Sequence, residues 1–271
     1  MLWQCAGCGR QTSVTAGTIF QDTRTPLRLW FQAMWWMTTQ KNGASALGLQ
    51  RVLGLKQYQT AWTWLHKLRS AMVRPGRDLL SGTVEVDESY VGGLEEGLRG
   101  RLTETKALIA VAAQEEGRGI GRIRLRCIPD ASAGSLHPFI QESIAAGSVV
   151  HTDGWRGYAG LEAKGYVHQA TVLKGRKESA SELLPRVHRV ISVLKRWLMG
   201  THQGAVSHKH LDYYLDEFTF RFNRRKSNSR GKLFYRLVQQ AVAVEPSPYD
   251  AIVKKGPRRQ PPAQLQAVGA T

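Results

Sequence analysis

Residues 82–93 read GTVEVDESYVGG. Thr83, Val84, Val86 and Tyr90 supply strand propensity, and Gly92-Gly93 breaks the run. Side chains alternate along a strand, so Glu85, Asp87 and Ser89 share one face and Val84, Val86 and Glu88 the other. A carboxylate inside an otherwise apolar strand is costly unless something compensates it. The stretch has two readings: an edge strand with solvated acids, or a sheet strand on which Asp87 is a metal ligand.

Working outward, the composition narrows the partner. Lys and Arg number 38 against 21 Asp and Glu, a formal charge of +17 that favours a polyanion, DNA or RNA first. With 271 residues and 42% hydrophobic content, the chain can hold one medium domain and a small one. Three cysteines, Cys5, Cys8 and Cys127, make no disulfide framework. No charged region followed by an apolar stretch opens the chain, so no secretory signal is expected. The most apolar window, Leu27–Met37, is too short to span a bilayer. The reading is a cytoplasmic protein with no membrane partner.

The head carries a DNA-binding pattern. Cys5-Ala6-Gly7-Cys8 is half of a zinc knuckle, but a structural zinc needs four ligands and no second CxxC follows. Residues 1–20 therefore read as a zinc-ribbon remnant, with zinc not expected. Pro26 suits the first turn of a helix whose apolar face is Leu27, Trp30, Phe31, Met34 and Trp35. Ala44–Leu53 and Tyr58–Val73 are predicted as two helices around the turn Gly54–Gln57. Ala61, Trp64, Leu65, Leu68 and Met72 form the core stripe of the second. Thr63, His66 and Lys67 lie away from it, and with Arg69 they are the candidate DNA contacts of a helix-turn-helix over residues 21–78.

The middle alternates strands and helices. Lys106–Ala113 suits a central strand. Gly121–Ile128 alternates apolar residues with Arg122, Arg124 and Arg126, predicting a half-buried strand with a basic outer face. Leu136–Ala145 reads as a helix and Ser148–His151 as a short strand running into Asp153-Gly154. An acid at the C-terminal end of a strand is where open α/β sheets bind ligands. On a helix over about 181–198, Val187, Val190, Ile191, Leu194 and Leu198 form a buried stripe. His188 and Lys195 fall within about 20° of each other on its border. His208–Asn223 and Lys232–Val244 are further predicted helices. His202, His208 and His210 lack nearby acids and are set aside as a metal site. Beyond Glu245 the chain reads as a basic, Pro-rich mobile tail.

Taken together, the head, VEVDESYVGG, HTDGWRGY and the string from PRVHRVISVLKRWLMG through FNRR resemble insertion-sequence DDE transposases of the ISXO-like branch. The resemblance spans roughly residues 3–245. It implies an RNase H-like catalytic domain, a mixed sheet with helices on both sides, over residues 79–245. The overall class is α/β (α+β) with an all-helical head, and residues 246–271 form the tail. Asp87 and Asp153 would be the first two acids. The family's third position is commonly a Glu seven residues before a Lys; here it is His188 before Lys195, a DDH departure. Glu85, Glu182 and Asp212 are the alternatives for that third ligand.

The chemistry fits these residue types. Two divalent ions, Mg²⁺ or Mn²⁺, activate the attacking oxygen and neutralise phosphate charge in phosphodiester transfer. Asp87, Asp153 and His188 would be catalytic metal ligands, and Lys195 a phosphate contact. The expected function is a bacterial transposase that binds the terminal inverted repeats of its element, cleaves there and joins the ends to target DNA. It would act as a homo-oligomer on double-stranded DNA at the nucleoid. The alternatives are a retired transposase that only binds DNA, and an RNase H-like nuclease without strand transfer.

Overall fold

The computed structural model describes residues 2–74, 76–92, 106–172, 180–204 and 206–255. The basic loop Gly97–Arg101 and the tail beyond residue 255 lie outside them. In chain order the strands are β1 (Leu2–Gln4), β2 (Gln11–Ser13), β3 (Thr83–Val91), β4 (Ala107–Glu116), β5 (Gly119–Ile128), β6 (Val149–Thr152) and β7 (Val167–Ala170). The helices are α1 (Leu27–Thr39), α2 (Ala46–Leu53), α3 (Tyr58–Ala71), α4 (Ala133–Ser143), α5 (Ala180–Leu183), α6 (Pro185–His202), α7 (Leu211–Asn223), α8 (Arg230–Ala243) and α9 (Tyr249–Lys255). They form two compact units, the first residues 1–77 with 226–271 and the second residues 78–225. No described helix is long and apolar enough to cross a membrane.

The first unit is built on stacked aromatics. Trp30 of α1 is buried and lies 4.1 Å from Trp64 of α3, nearly parallel to it. Ser45 accepts a hydrogen bond from the Gly48 N–H at 3.1 Å and starts α2. Gly54, with φ 62° and ψ 32°, ends α2 in a left-handed conformation that costs a side-chain-bearing residue about 1–2 kcal/mol. The turn to α3 thus follows from one glycine. The Cys5–Cys8 segment joins the β1–β2 hairpin with both cysteines exposed. Backbone N–H groups of Cys8 and Gly7 lower the Cys5 thiol pKa.

Three expectations for this unit change. His66 is fully buried against the Trp62 ring, 3.9 Å away, with Nδ1 2.8 Å from the Trp62 carbonyl oxygen. Arg69 is 1% exposed and donates to the Ala44 carbonyl at 3.1 Å, tying α3 to the start of α2. Neither side chain is on an exposed face, because α3 packs against α8 and α9 as well as α2. The second change is the boundary at 245. α8 packs on α1 and α3, with Phe234 edge-on to Trp35 at 5.7 Å and Gln240 donating to the Met72 carbonyl at 3.5 Å. Residues 226–245 therefore join the head. The third is the tail, since Tyr249–Lys255 is helical and Ile252 is buried.

The second unit is a five-stranded mixed sheet in the order β5-β4-β3-β6-β7. β3 is its central strand, antiparallel to β4 and parallel to β6, so the edge-strand reading fails. The alternation read from the sequence holds. Glu85, Asp87 and Ser89 lie opposite Ala113, Val111 and Ile109, while Val86 and Glu88 lie opposite Ala112 and Ala110. The second set packs under α4, where Val84, Val86, Ala110, Leu136, Phe139, Ile140, Val150 and Tyr158 form one core. α6 packs against β3 and β4.

The basic outer face expected on β5 is not outside. Arg124 and Arg126 pair with Ala112 and Ala110 and so lie on the α4 side. Arg124 is 4% exposed and donates to the Asp78 carbonyl at 2.6 Å, and Arg126 pairs with Glu142 of α4. Side chains of α7 protect the edge of β5 instead. Asn223 accepts the Ile123 N–H at 2.7 Å and Asp212 accepts the Cys127 N–H at 3.0 Å. Such cover blunts a strand edge that would otherwise pair with another chain.

Candidate active site

The middle of one strand, the end of another, a helix and two flanking acids build the site. Asp87 is half-buried on β3; its Oδ1 accepts the Glu88 N–H at 2.8 Å. The parallel register pairs Thr83, Val84 and Glu85 with Val149, Val150 and His151. Continued two residues beyond the last paired position, that register would bring Asp153 level with Asp87. The Asp153 Oδ1 accepts the Trp155 N–H at 2.9 Å, closing a tight turn through Gly154.

α6 brings the third group. Val187, Val190, Ile191, Leu194 and Leu198 are buried as the sequence predicts. His188 stands beside that stripe with Nε2 3.7 Å from Asp87 Oδ2. Burial lowers the His188 pKa and nearby Lys195 adds to this, while Glu85 and Asp153 oppose it. The lowered pKa favours the neutral imidazole, the form in which a histidine binds a metal. Burial also lowers the Lys195 pKa, helped by Lys106 and opposed by Asp87.

The acids flanking Asp87 hold the other two elements in place. Glu85 is 1% exposed. Its Oε2 accepts the N–H groups of Arg186 at 2.7 Å and Val187 at 2.9 Å, and its Oε1 accepts from the Arg186 guanidinium at 2.9 Å. A carboxylate in the sheet thus caps the first turn of α6, where Pro185 needs no N–H partner. On the opposite face, Glu88 accepts the Tyr158 hydroxyl at 2.6 Å. Burial raises the Tyr158 pKa, and the Glu88 charge and hydrogen bond raise it further, so the phenol stays a donor. That bond ties β3 to the segment just after Asp153.

Gly157 completes the turn. A Cβ there would lie 2.3 Å from the Ala131 carbonyl oxygen, which also accepts the Trp155 indole N–H at 2.7 Å. Gly157→Ala is expected to push the turn away from Ala131 and destabilise the protein by about 1–3 kcal/mol. Thermal melting should register the loss. A melting temperature equal to the parent's would show that the turn can absorb the methyl group.

The remaining sequence candidates are distributed elsewhere. The Thr63 hydroxyl donates to the Gln59 carbonyl at 2.7 Å, and burial lowers the Lys67 pKa against the opposing charge of Asp22. Asp212 is engaged at β5 and Glu182 is exposed. His202 sits between the rings of Trp197 and Tyr214, 4.8 and 4.7 Å away. Among the described residues no three His, Cys, Asp or Glu side chains are gathered closely enough to hold a metal ion. By residue type alone, the two carboxylates and the imidazole of Asp87, Asp153 and His188 are donors that Mg²⁺ or Mn²⁺ accepts. The roles of Glu85 and Glu88 were not read from the sequence. Alternation put Glu85 on the Asp87 face, but its partners lie 101 and 102 residues away.

A mixed sheet with one acid within its central strand and another just past the end of the neighbouring strand, near a helix-borne histidine and lysine, combines residue types suited to chemistry at a phosphodiester. Residues 79–223 match the ISXO2-like transposase domain, and the chain belongs to that family. It is 26% identical over 234 residues to an uncharacterised protein in transposable element ISH50 of Halobacterium salinarum, covering 80% of this chain and 76% of that one. Among solved structures it is similar to a pre-cleavage Mos1 transpososome at 10% identity, covering 82% of this chain and 80% of that one with a TM-score of 0.30. The Mos1 strand transfer complex matches at 13% identity over 81% and 80% of the two chains, also with a TM-score of 0.30.

Proposed function

We propose that this chain is an active insertion-sequence transposase with an RNase H-like catalytic unit, which cuts and rejoins DNA at the ends of its element. The observation that supports this reading is the β3–β6 pairing of Thr83, Val84 and Glu85 with Val149, Val150 and His151, which continued two residues brings Asp153 level with Asp87, together with the 3.7 Å between His188 Nε2 and Asp87 Oδ2. Divalent ions, Mg²⁺ or Mn²⁺, held by Asp87, Asp153 and His188, would neutralise phosphate charge and raise the nucleophilicity of the attacking oxygen. Lys195 meets a phosphate as a point charge. Glu85 fixes the start of α6 and hence His188; the Glu88–Tyr158 bond fixes the turn that bears Asp153. Families that place Glu where His188 stands have one more negative charge in the site, so this chain should favour Mn²⁺ over Mg²⁺.

The head would read duplex DNA as a helix-turn-helix, with α3 as the recognition helix. Thr63 and Lys67 remain candidate contacts, joined by the exposed residues Lys56, Gln57 and Tyr58 at the start of α3. The net charge of +17 supports a large electrostatic share of binding. If about six phosphates are contacted, affinity should fall about a thousand-fold between 50 and 200 mM salt.

Incubation of the full chain with labelled element ends and Mn²⁺ or Mg²⁺ tests both parts. Cleaved and joined products that vanish with chelator are expected. Binding without any cleavage would leave a DNA-binding protein only, and cleavage without joining a nuclease. A flat salt response would remove the electrostatic account of binding.

A further inference from the structure

Round the end of the sheet from Asp87 lies a cavity of about 740 Å³ that the cleavage chemistry does not use. Tyr90, Lys106, Asp130, Ser132, Trp155 and Arg156 line it. Tyr90 is the last residue but one of β3 and shares the α4 face with Glu88, opposite Leu108. Trp155 is two residues beyond Asp153, and its indole is fixed by the bond to the Ala131 carbonyl. The Arg156 guanidinium stands 5.5 Å from the Trp155 ring centroid and is exposed. Lys106 is near enough to Lys195 to lower its pKa, so the mouth of the cavity and the acid pair share one field. The volume falls within the ~300–1,000 Å³ of small-ligand sites.

This lining has the chemistry of single-strand binding: aromatic surface for a base and cations for the phosphate. A paired base inside a duplex cannot enter such a cavity. We propose that the cavity takes an unpaired nucleotide of the DNA strand, its base against Tyr90 and Trp155 and its phosphate toward Lys106 and Arg156. The proposal rests on the reading of the chain as a DNA-acting enzyme. It assigns the cavity to a nucleotide that has left the duplex next to the site of cleavage. The ionised Asp130, which already accepts from the Ser132 N–H and the Ser135 hydroxyl, favours a base that presents an amino group.

Fluorescence anisotropy with the full-length chain tests this without requiring cleavage. The probes are a blunt duplex, the same duplex with a two-nucleotide overhang at the 3′ or the 5′ end, and the overhang duplexes with abasic residues. One overhang polarity should bind about tenfold tighter than the blunt duplex, and its abasic form should lose most of that gain. Tyr90→Leu, which keeps an apolar strand residue, should remove the gain and leave blunt-duplex affinity unchanged. Equal affinity for blunt and overhang probes overturns the proposal. So does a gain that survives either the abasic substitution or Tyr90→Leu, because phosphates alone would then explain it. Failure to bind any duplex overturns the DNA-acting reading itself, and this assignment with it.

Discussion

Asp87→Ala and Asp153→Ala should each slow end cleavage about a thousand-fold or more, equivalent to about 4 kcal/mol of barrier, while leaving end binding intact. The asymmetry follows from charge. Under the proposed function each aspartate would add a negative charge where a phosphate must come, so its removal should lower repulsion and leave binding equal or tighter. The same removal would take away a carboxylate that could hold a divalent ion, whose charge would neutralise the phosphate. Asp87→Asn separates charge from shape, since the amide oxygen still accepts the Glu88 N–H now bound at 2.8 Å. Loss of cleavage in both Asp87→Asn and Asp87→Ala would assign the effect to charge. His188→Ala belongs in the series beside His188→Glu, which should regain cleavage and shift the preference toward Mg²⁺. Gel-based cleavage and anisotropy binding, run on the same preparations, read the two quantities. Cleavage by Asp153→Ala at the parent's rate would remove Asp153 from the chemistry, and the register argument with it.

The parts of this fold that were legible in the sequence are those fixed by local rules. Alternation sorted β3 into its two faces, and the stripe Val187, Val190, Ile191, Leu194 and Leu198 set the buried side of α6. Gly54 gave the turn between α2 and α3. What was missed depends on partners distant in the chain. β7 has only Val167 as a β-branched residue and forms because β6 offers it a parallel edge. His66 and Arg69 looked exposed because the elements that surround α3 include α8 and α9, which begin more than 150 residues later. The arginines of β5 read as an outer face because nothing local says that α4 crosses it, with Glu142 waiting for Arg126. Asp87 and Asp153 were each noticed alone for their place in strands. Only the resemblance joined them in sequence, whereas the parallel pairing of β3 with β6, continued two residues, brings them level.

Glu85→Ala is expected to destabilise residues 78–225 strongly. It removes the acceptor of three hydrogen bonds, two of them from backbone N–H groups of α6. Breaking a buried charge pair costs about 3–5 kcal/mol. Arg186 is 19% exposed at its side chain and keeps Glu115 at 2.6 Å, so the lower end, about 3 kcal/mol, applies. For a protein of this size that is a fall of about 6–12 °C in melting temperature. Glu85→Gln should fall between parent and alanine variant. Its amide oxygen can still accept the backbone N–H groups, but its NH₂ then meets the guanidinium donor to donor. Adding Arg186→Met to Glu85→Gln should recover part of the loss by removing that conflict. Cleavage should drop in every Glu85 variant, because His188 sits two residues beyond Arg186 on the helix that Glu85 holds. The metal dependence separates this role from direct ligation. A ligand lost from the ions would raise the Mn²⁺ concentration for half-maximal cleavage, whereas a loosened helix lowers the rate at saturation and leaves that concentration nearly unchanged. Glu85→Ala melting within about 2 °C of the parent would mean that α6 is held by its apolar stripe alone, for by the same scaling the carboxylate would then contribute less than about 1 kcal/mol.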